Sequence, residues 1–210
     1  MEKFHDRKQA GSALATLLSK YANNKNVIVL ALPRGGVPVA HEISETLHVP
    51  LDVFIVRKLG VPGYEELAMG AIASGGVTVF NENVLNDLVI LKEDFDRVIK
   101  KEEIELKRRE AEYRGDLPFP NVKNKIIILV DDGIATGATM RAAIKALRLL
   151  KPKNIIVAVP VAEKSMCDQI TTIADILVCP LRPDIFYAVG HWYEEFPQTT
   201  DSEVHQLLAR

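Results

Sequence analysis

The chain has 210 residues, with 26 lysines and arginines against 28 aspartates and glutamates, and a formal net charge of −2. This length supports one domain with a full hydrophobic core and a small appendage. A nearly balanced charge provides no basic field to hold a nucleic-acid backbone, so we expect no nucleic-acid partner.

The sequence also predicts a soluble protein of the cytoplasm. The first residues contain no apolar signal segment, and no uninterrupted apolar run approaches the roughly 20 residues of a membrane span. We therefore expect no contact with a membrane. Cys167 and Cys179 lie within or beside apolar runs, where cysteine usually behaves as a small hydrophobic residue, and this fits a reducing compartment.

The N-terminal part is predicted to form a helix, a buried strand and a second helix. Apolar residues recur at spacings of three and four over residues 7–23, a pattern typical of an amphipathic helix. Val27–Ala31 is a short apolar run of the kind found in buried parallel strands. Residues 37–47 are predicted to be helical. Between them lies the segment Pro33-Arg34-Gly35-Gly36.

This Pro-Arg-Gly-Gly segment has two interpretations. Gly35 and Gly36 let the backbone approach an anion closely, and Arg34 adds a guanidinium, so the segment could bind a phosphate-type group. It could equally be a plain turn with a surface arginine.

Residues 51–56 are predicted to be the next strand, ending at Arg57 and Lys58. Residues 59–66 are polar and rich in glycine and proline, so we expect them to lie outside the core. Residues 67–74 and 77–80, separated by two glycines, are predicted to form a hairpin.

A charged helix is predicted between Lys92 and Arg114, inside an insertion of about residues 81–121. Acidic residues repeatedly precede basic residues by four positions, which supports a solvated helix. Its apolar stripe is narrow, so it should touch the core along one edge or project as a subunit contact. The protein could form a homodimer through this helix. We expect the helix to carry no catalytic residue.

The most informative stretch runs from residue 126 to residue 140. The apolar strand 126–130 ends at two adjacent carboxylates, Asp131 and Asp132, and a loop of small residues then leads into an amphipathic run. Backbone N–H groups of such a loop, with the following helix N-terminus, form a phosphate site. The carboxylates repel phosphate, so they should serve neighbouring hydroxyls or a metal bridging to them. The pattern indicates a sugar-phosphate ligand.

The sequence VDDGIATGAT in this stretch resembles the signature of type I phosphoribosyltransferases, which bind 5-phosphoribosyl-1-pyrophosphate (PRPP). The resemblance implies that Asp131 and Asp132 are catalytic residues that reach the ribose 2′- and 3′-hydroxyls. It assigns the 5′-phosphate to the loop residues Ala135, Thr136, Gly137, Ala138 and Thr139. The alternative is an ordinary strand–turn–helix crossover whose aspartates only cap the helix.

The same resemblance implies that Arg34, Gly35 and Gly36 bind pyrophosphate. Residues 59–66 would then be the loop that closes over PRPP, while Arg57 and Lys58 act as catalytic residues that neutralise the departing pyrophosphate. The alternative for Arg57 and Lys58 is a solvated basic pair.

As the resemblance implies, the cofactor is Mg²⁺, bridging ribose hydroxyls and pyrophosphate oxygens near Asp131 and Asp132. No direct protein ligand to this ion is expected. The sequence has no His/Cys cluster that would suggest a transition-metal site.

Strands at 155–159 and 176–179 alternate with helices at 140–150 and 165–173. This order predicts an α/β fold with a doubly wound, mostly parallel sheet that binds ligands at its carboxyl edge. We expect a phosphoribosyltransferase core over residues 1–180, with the helical insertion at about 81–121. Residues 181–210 would form a C-terminal hood over the base site.

The tail concentrates aromatic residues and resembles the C-terminal region of hypoxanthine-type phosphoribosyltransferases. This likeness places Phe186, Val189 and Trp192 near the base, although tail aromatics often only cap a core. The phosphate loop departs from the hypoxanthine pattern, because Ala135 stands where those enzymes have an aspartate, as in the adenine-type loop. The base identity therefore stays open.

The resulting functional hypothesis is a PRPP-dependent transferase that moves the 5-phosphoribosyl group to a nitrogenous, purine-like base and releases pyrophosphate. A non-catalytic regulator that senses PRPP or a nucleotide on the same fold is the alternative. A third option, an interaction protein built on the charged helix, predicts no affinity for PRPP.

Overall fold

Five parallel strands form the central sheet of the protein in this computed structural model, which describes residues 3–88 and 90–209. The elements in chain order are α1 (Arg7–Leu17), β1 (Val27–Ala31), α2 (Gly36–Leu47), β2 (Leu51–Val53), β3 (Val56–Val61), β4 (Tyr64–Ala73), β5 (Val77–Phe80), α3 (Glu82–Asp87), α4 (Lys92–Arg114), β6 (Ile126–Val130), α5 (Ala138–Leu149), β7 (Asn154–Ala158), α6 (Lys164–Thr171), β8 (Ile176–Val178) and α7 (Asp201–Leu208).

The chain divides into two units. The first contains the described parts of residues 1–53, 120–137 and 151–210, and the second contains residues 54–119 and 138–150. The boundaries of these two units differ from those of the predicted segments 1–180, 81–121 and 181–210. The assignment of those segments to a core, an insertion and a hood over the base site stays a prediction. Residues 1, 2, 89 and 210, which those segments include, lie outside the described residues.

The central sheet of the first unit has the order β2-β1-β6-β7-β8, and every pairing in it is parallel. Its inner strands are runs of aliphatic residues that are buried almost throughout, as expected for strands covered on both faces. Ala31 pairs with Val130, so β1 and β6 end at the same level of the sheet. The segments that follow these two strands therefore leave from one edge. The predicted doubly wound α/β fold is confirmed.

Helices α1 and α2 pack closely in the first unit because α1 has glycine at the contact. A Cβ on Gly11 would lie 2.7 Å from the carbonyl oxygen of Val39 and 2.7 Å from Cβ of Glu42. The N-terminus of α1 is capped by Asp6, whose carboxylate accepts a 2.7 Å hydrogen bond from the N–H of Gln9.

The second unit contains an antiparallel sheet of order β3-β4-β5 and the long helix α4. The predicted hairpin of residues 67–74 and 77–80 corresponds to β4 and β5, which pair antiparallel. The charged helix is confirmed from Lys92 to Arg114, and it buries Glu102, Leu106 and Tyr113.

Two predictions on residues 51–66 were wrong. Residues 51–56 do not form one strand, because β2 ends at Val53 and β3 begins at Val56 in the other sheet. Residues 59–66 were expected to lie outside the core, and this fails at Leu59 and Val61, which are 0% and 3% exposed on β3, whereas residues 63–66 at the turn of the β3–β4 hairpin are exposed as expected. These two apolar residues alternate with Gly60, and the surrounding glycine and proline masked this two-residue period.

Among the described residues, no helix combines the length and the apolar character that a membrane crossing requires.

The Gly11 contact gives a test of this packing. Replacing Gly11 with alanine should gain up to about 1 kcal/mol in helix propensity. Overpacking costs about 1–3 kcal/mol, and the backbone oxygen of Val39 cannot swing aside, so the net effect should be destabilising. Urea unfolding measures the difference. The control is Thr16→Ala, on the exposed side of α1, which should be neutral or slightly stabilising. A Gly11→Ala protein as stable as wild type would show that α1 and α2 do not pack this closely.

Candidate functional site

The segments after β1 and β6 meet at the carboxyl edge of the parallel sheet. Gly35 precedes α2 and Gly36 is its first residue, while Asp131 and Asp132 directly follow β6. A Cβ on Gly35 would lie 2.1 Å from Oδ2 of Asp132, and one on Gly36 would lie 2.7 Å from the carbonyl oxygen of Val130. The two glycines are therefore needed for this close approach. Two predicted site segments, one for pyrophosphate and one for ribose, are thereby brought into contact.

Asp132 forms an ion pair with Arg7, the first residue of α1. Nε and Nη2 of Arg7 lie 2.9 Å and 2.8 Å from the same oxygen, Oδ2. The side chains are only 10% and 14% exposed. Because this pair is shielded from water, its attraction is less weakened by solvent than that of a surface pair.

An N-terminal segment and a segment of the tail pair beside this ion pair, and we call them the terminal cap, defined as residues 4–7 and 192–197. Phe4 donates its N–H to the carbonyl of Trp192, and Glu194 donates to the carbonyl of Phe4, both at 2.9 Å. Phe4 and Tyr193 belong to a buried apolar cluster. The Tyr193 hydroxyl donates a 2.6 Å hydrogen bond to the backbone carbonyl of Asp132. The terminal cap thus contacts Asp132 directly.

Burial determines the protonation of the acidic pair. It raises the pKa of Asp131 well above its ordinary value, and the neighbouring charge of Asp132 adds to this effect. Burial also raises the pKa of Asp132, but the charge and hydrogen bonds of Arg7 oppose that rise. Burial raises the pKa of Tyr193 as well, so its hydroxyl stays protonated and can donate.

A cavity of about 510 Å³ opens beside these groups in the first unit. Its lining residues are Arg7, Arg34, Gly35, Asp132, Val189, Phe196, Pro197, Gln198 and Thr199. Four of them belong to the predicted site: Arg34, Gly35, Asp132 and Val189. Two guanidinium groups, one carboxylate and an apolar wall from Val189 and Phe196 therefore share one space. Arg34 also lies 3.5 Å from the carboxylate of Asp201.

The predicted phosphate loop follows the acidic pair. Its first part is anchored by Ile134, whose N–H donates to the carbonyl of Val161 at 2.9 Å. Ala135, Thr136 and Thr139 are exposed, and α5 begins at Ala138. Gly137 has φ of +72°, a left-handed conformation that glycine adopts without strain. The segment is thus a short exposed turn that ends at a helix N-terminus, as an anion-binding loop requires.

The predicted catalytic residues Arg57 and Lys58 lie on β3 in the second unit. Nε and Nη2 of Arg57 donate to Oε2 of Glu102 on α4, at 2.8 Å and 2.5 Å. Lys58 is exposed and lies 3.5 Å from Glu66, also exposed. The charged helix, for which the sequence predicted no chemistry, therefore supplies the partner of Arg57.

The three residues predicted to bind a base have different surroundings. Val189 lines the cavity and packs against Gly133, where an added Cβ would lie 2.6 Å from its Cγ1. Phe186 and Trp192 stack on each other, with ring centroids 6.5 Å apart. Trp192 also packs against the cluster of Phe4 and Tyr193. Of the three, Val189 is the one brought to the cavity, and their role in base binding stays a prediction.

Within the described residues, no group of three or more His, Cys, Asp or Glu side chains could hold a metal ion. Asp131 and Asp132 alone offer carboxylate oxygens, which suit Mg²⁺ but are too few to hold it without ligand oxygens and water.

Sequence patterns did not reveal Arg7, Tyr193, Phe196 or Glu102 as parts of these sites. Arg7 is 125 residues from Asp132, and Tyr193 is 61 residues from it. Glu102 appeared as one charge among many on a solvated helix. Only its position on the buried stripe with Leu106, four residues later, could have singled it out.

Comparisons with known proteins show which family this chain is similar to. The family model of the phosphoribosyl transferase domain matches residues 1–190. A Mycobacterium tuberculosis protein with a provisional phosphoribosyl transferase name is 43% identical over 210 residues, which are 100% of this chain and 47% of that protein. The chain thus spans about half the length of this relative.

Two solved structures are also similar. The crystal structure of TT1426 from Thermus thermophilus is 37% identical, covers 98% of this chain and 97% of its own, and has a TM-score of 0.85. The AQ2163 protein from Aquifex aeolicus is 12% identical over 97% of this chain and 85% of its own, with a TM-score of 0.52. This second likeness concerns the fold alone.

The raised pKa of Asp131 predicts a pH-dependent stability. A carboxyl with a raised pKa binds more protons folded than unfolded, so the free energy of unfolding falls as the pH rises through that pKa. Asp131→Asn should therefore stabilise the protein at pH 7 by roughly 0.5–2 kcal/mol, the usual gain from relieving strain at a functional site. The gain should shrink towards pH 4, where the carboxyl is protonated in the folded protein and increasingly in the unfolded chain as well. Urea unfolding at both pH values checks this, with Asp116→Asn at an exposed position as control. A loss of stability at pH 7 would contradict the burial argument.

Proposed function

The chain belongs to the phosphoribosyl transferase domain family, and from that premise we propose that it transfers the 5-phosphoribosyl group of PRPP to a nitrogenous, purine-like base and releases pyrophosphate. The observation that supports this most is the contact of the acidic pair with Gly35 at the edge of the parallel sheet. A ribose bound at Asp131 and Asp132 would have its C1′ substituent beside a loop that offers backbone N–H groups and Arg34.

The ribose hydroxyls would be recognised by Asp131 and Asp132. Nε of Arg7 donates a hydrogen bond to Oδ2 of Asp132, and Nη2 of Arg7 lies 2.8 Å from the same oxygen, so the guanidinium contacts the carboxylate through Oδ2. Oδ1 is therefore the oxygen of Asp132 that a ribose hydroxyl would approach. A hydrogen bond from a hydroxyl to a carboxylate is charge-assisted and stronger than a neutral one.

The two anionic ends of PRPP would bind to different segments. The 5′-phosphate would bind to the exposed turn of residues 135–139, whose N–H groups precede α5. The pyrophosphate would bind to Arg34, Gly35 and Gly36, where α2 begins. Both assignments use helix N-termini, whose partial positive charge favours anions.

Transfer would proceed by departure of pyrophosphate from C1′ through an oxocarbenium-like state, followed by attack of the base nitrogen. The chain's own contribution is positioning and charge stabilisation. Arg57 and Lys58 would neutralise the leaving group, and the hairpin that contains them would exclude water. Mg²⁺, bound mainly by PRPP oxygens near Asp131 and Asp132, would offset part of the pyrophosphate charge.

The acceptor would enter the cavity beside Val189 and Phe196. These side chains provide an apolar wall, while Gln198 and Thr199 provide polar atoms for recognition of a base edge. Phe186 and Trp192, stacked on each other, would support this wall from the tail. Ala135 offers no acid or base to the acceptor, so a nitrogen that loses its proton would need another group or water.

One observation favours the alternative, a protein that senses PRPP or a nucleotide without turnover. Arg57 is already paired with the buried carboxylate of Glu102, so part of its charge is compensated. An enzyme needs that charge for the leaving group, whereas a sensor does not.

Binding of PRPP tests the site that both alternatives share. Asp131→Asn with Asp132→Asn keeps the side-chain shape but removes the charge that orders the ribose hydroxyls. The affinity for Mg²⁺-PRPP should fall by roughly 2–4 kcal/mol, the scale of losing charged hydrogen bonds. Calorimetry measures this, with Asp116→Asn as control. If the double variant binds Mg²⁺-PRPP as tightly as wild type, Asp131 and Asp132 do not contribute to the PRPP site.

Pyrophosphate release separates the enzyme from the sensor. With Mg²⁺-PRPP and a panel of purine, pyrimidine and other nitrogenous bases, at least one base should give release that is abolished in the double variant. Tight PRPP binding with no release for any base in the panel would favour the sensor. The absence of both binding and release would contradict both functions.

A further inference from the structure

Arg7 is a buried charged residue that the proposed chemistry does not use. Its guanidinium contacts three parts of the first unit: the carboxylate of Asp132, the carbonyl oxygen of Pro197 at 2.7 Å and the ring face of Phe196, with 3.8 Å between Cζ and the ring centroid. We propose that Arg7 is a positioning residue that fixes Oδ2 of Asp132 and thereby presents Oδ1 to a ribose hydroxyl of PRPP. This inference rests on the proposed function.

The arginine side chain is held in one orientation. Nε donates to Oδ2, Nη2 forms an ion pair with the same oxygen at 2.8 Å, and Nη1 donates to the carbonyl oxygen of Pro197. The ring of Phe196 covers one face of the guanidinium. Phe196 is itself supported by Tyr193, with ring centroids 4.9 Å apart. A planar group with this many fixed contacts can orient a partner, which a flexible surface arginine cannot do.

Asp132 is restricted on the opposite side as well. Its Oδ2 lies close to Cα of Gly35, as the 2.1 Å distance to an added Cβ indicates. Its backbone carbonyl accepts the hydrogen bond of Tyr193. The carboxylate is thus placed between Arg7 and Gly35, and Arg7 holds it through Oδ2.

The charges around Asp132 make Arg7 the group that compensates it. Asp131 is the adjacent acid, and Arg34 faces the same cavity but pairs with Asp201. Tyr193 contributes a neutral hydroxyl. Without Arg7, two adjacent acids would share a poorly solvated site with no cation bound to either, and Asp132 would be free to rotate towards water.

The inference can be tested with the full chain and Mg²⁺-PRPP. Arg7→Gln removes the charge, Arg7→Lys keeps the charge without the planar fork, and Lys8→Gln changes an exposed neighbour on the same helix. Calorimetry should show at least tenfold weaker PRPP binding for Arg7→Gln, partial recovery for Arg7→Lys, and binding within twofold of wild type for Lys8→Gln. Thermal unfolding of each variant shows that the folded protein is being measured.

A double-mutant cycle distinguishes positioning from direct contact with the ligand. In an Asp132→Asn background, Arg7→Gln should change PRPP affinity by less than twofold, because its effect passes through Asp132. A further tenfold loss in that background would show that Arg7 contacts PRPP itself and would overturn the inference.

Other outcomes are equally decisive. If Arg7→Gln does not fold, Arg7→Lys replaces it in the double-mutant cycle. In that case, an Arg7→Lys protein that binds Mg²⁺-PRPP as tightly as wild type overturns the inference. Wild-type affinity in Arg7→Gln also overturns it, while the proposed function stands. If the wild-type protein does not bind Mg²⁺-PRPP at all, the proposed function fails and this inference fails with it.

Discussion

The position of one carboxylate, that of Asp132, constrains much of the first unit. Gly35 must lack a side chain because Oδ2 of Asp132 occupies the space of its Cβ. On the other side, Arg7 must reach Oδ2 from the start of α1, and the terminal cap holds Arg7 through Pro197 and Phe196. The ends of β1 and β6, the starts of α1 and α2, and the terminal cap therefore all lie around a single acidic group.

Such convergence has a cost in stability. Two adjacent acids at a partly buried sheet edge disfavour ionisation, and only one of them, Asp132, has a cation bound to it. A fold selected for stability alone would have no reason to keep Asp131 charged. The cost is understandable if both carboxylates bind ligand hydroxyls, because binding sites commonly retain groups that destabilise the empty protein. The terminal cap offsets part of this cost by packing Phe4 and Tyr193 into an apolar cluster and by hydrogen-bonding Asp132.

The sequence predicted the parts of the fold that local patterns determine. Strands β1 and β6, the charged helix α4 and the β4–β5 hairpin follow from apolar runs, charge spacing and paired glycines. The contact of Gly35 with Asp132 was anticipated in outline, since parallel strands in register bring their following segments to one edge.

Other features depend on contacts between distant parts of the chain. Arg7 contacts Pro197 and Phe196 only because residues 4–7 pair with residues 192–197. No short-range sequence pattern predicts that pairing. The two wrong predictions have a similar cause. The chain changes sheets between Val53 and Val56 within one continuous apolar run, and the hairpin of β3 and β4 buries Leu59 although glycine and proline surround it. Composition shows that such a segment is polar on average, but not which of its residues point inward.

The central claim is that Asp131 and Asp132 bind the ribose while Arg7 holds Asp132 in place. A crystal structure of the protein with Mg²⁺ and PRPP tests it most directly. We expect the ribose 2′- and 3′-hydroxyls within about 3 Å of Asp131 and of Oδ1 of Asp132, with Arg7 still paired to Oδ2. A ribose bound elsewhere, or an Arg7 that leaves Oδ2 to contact a phosphate, would contradict this account.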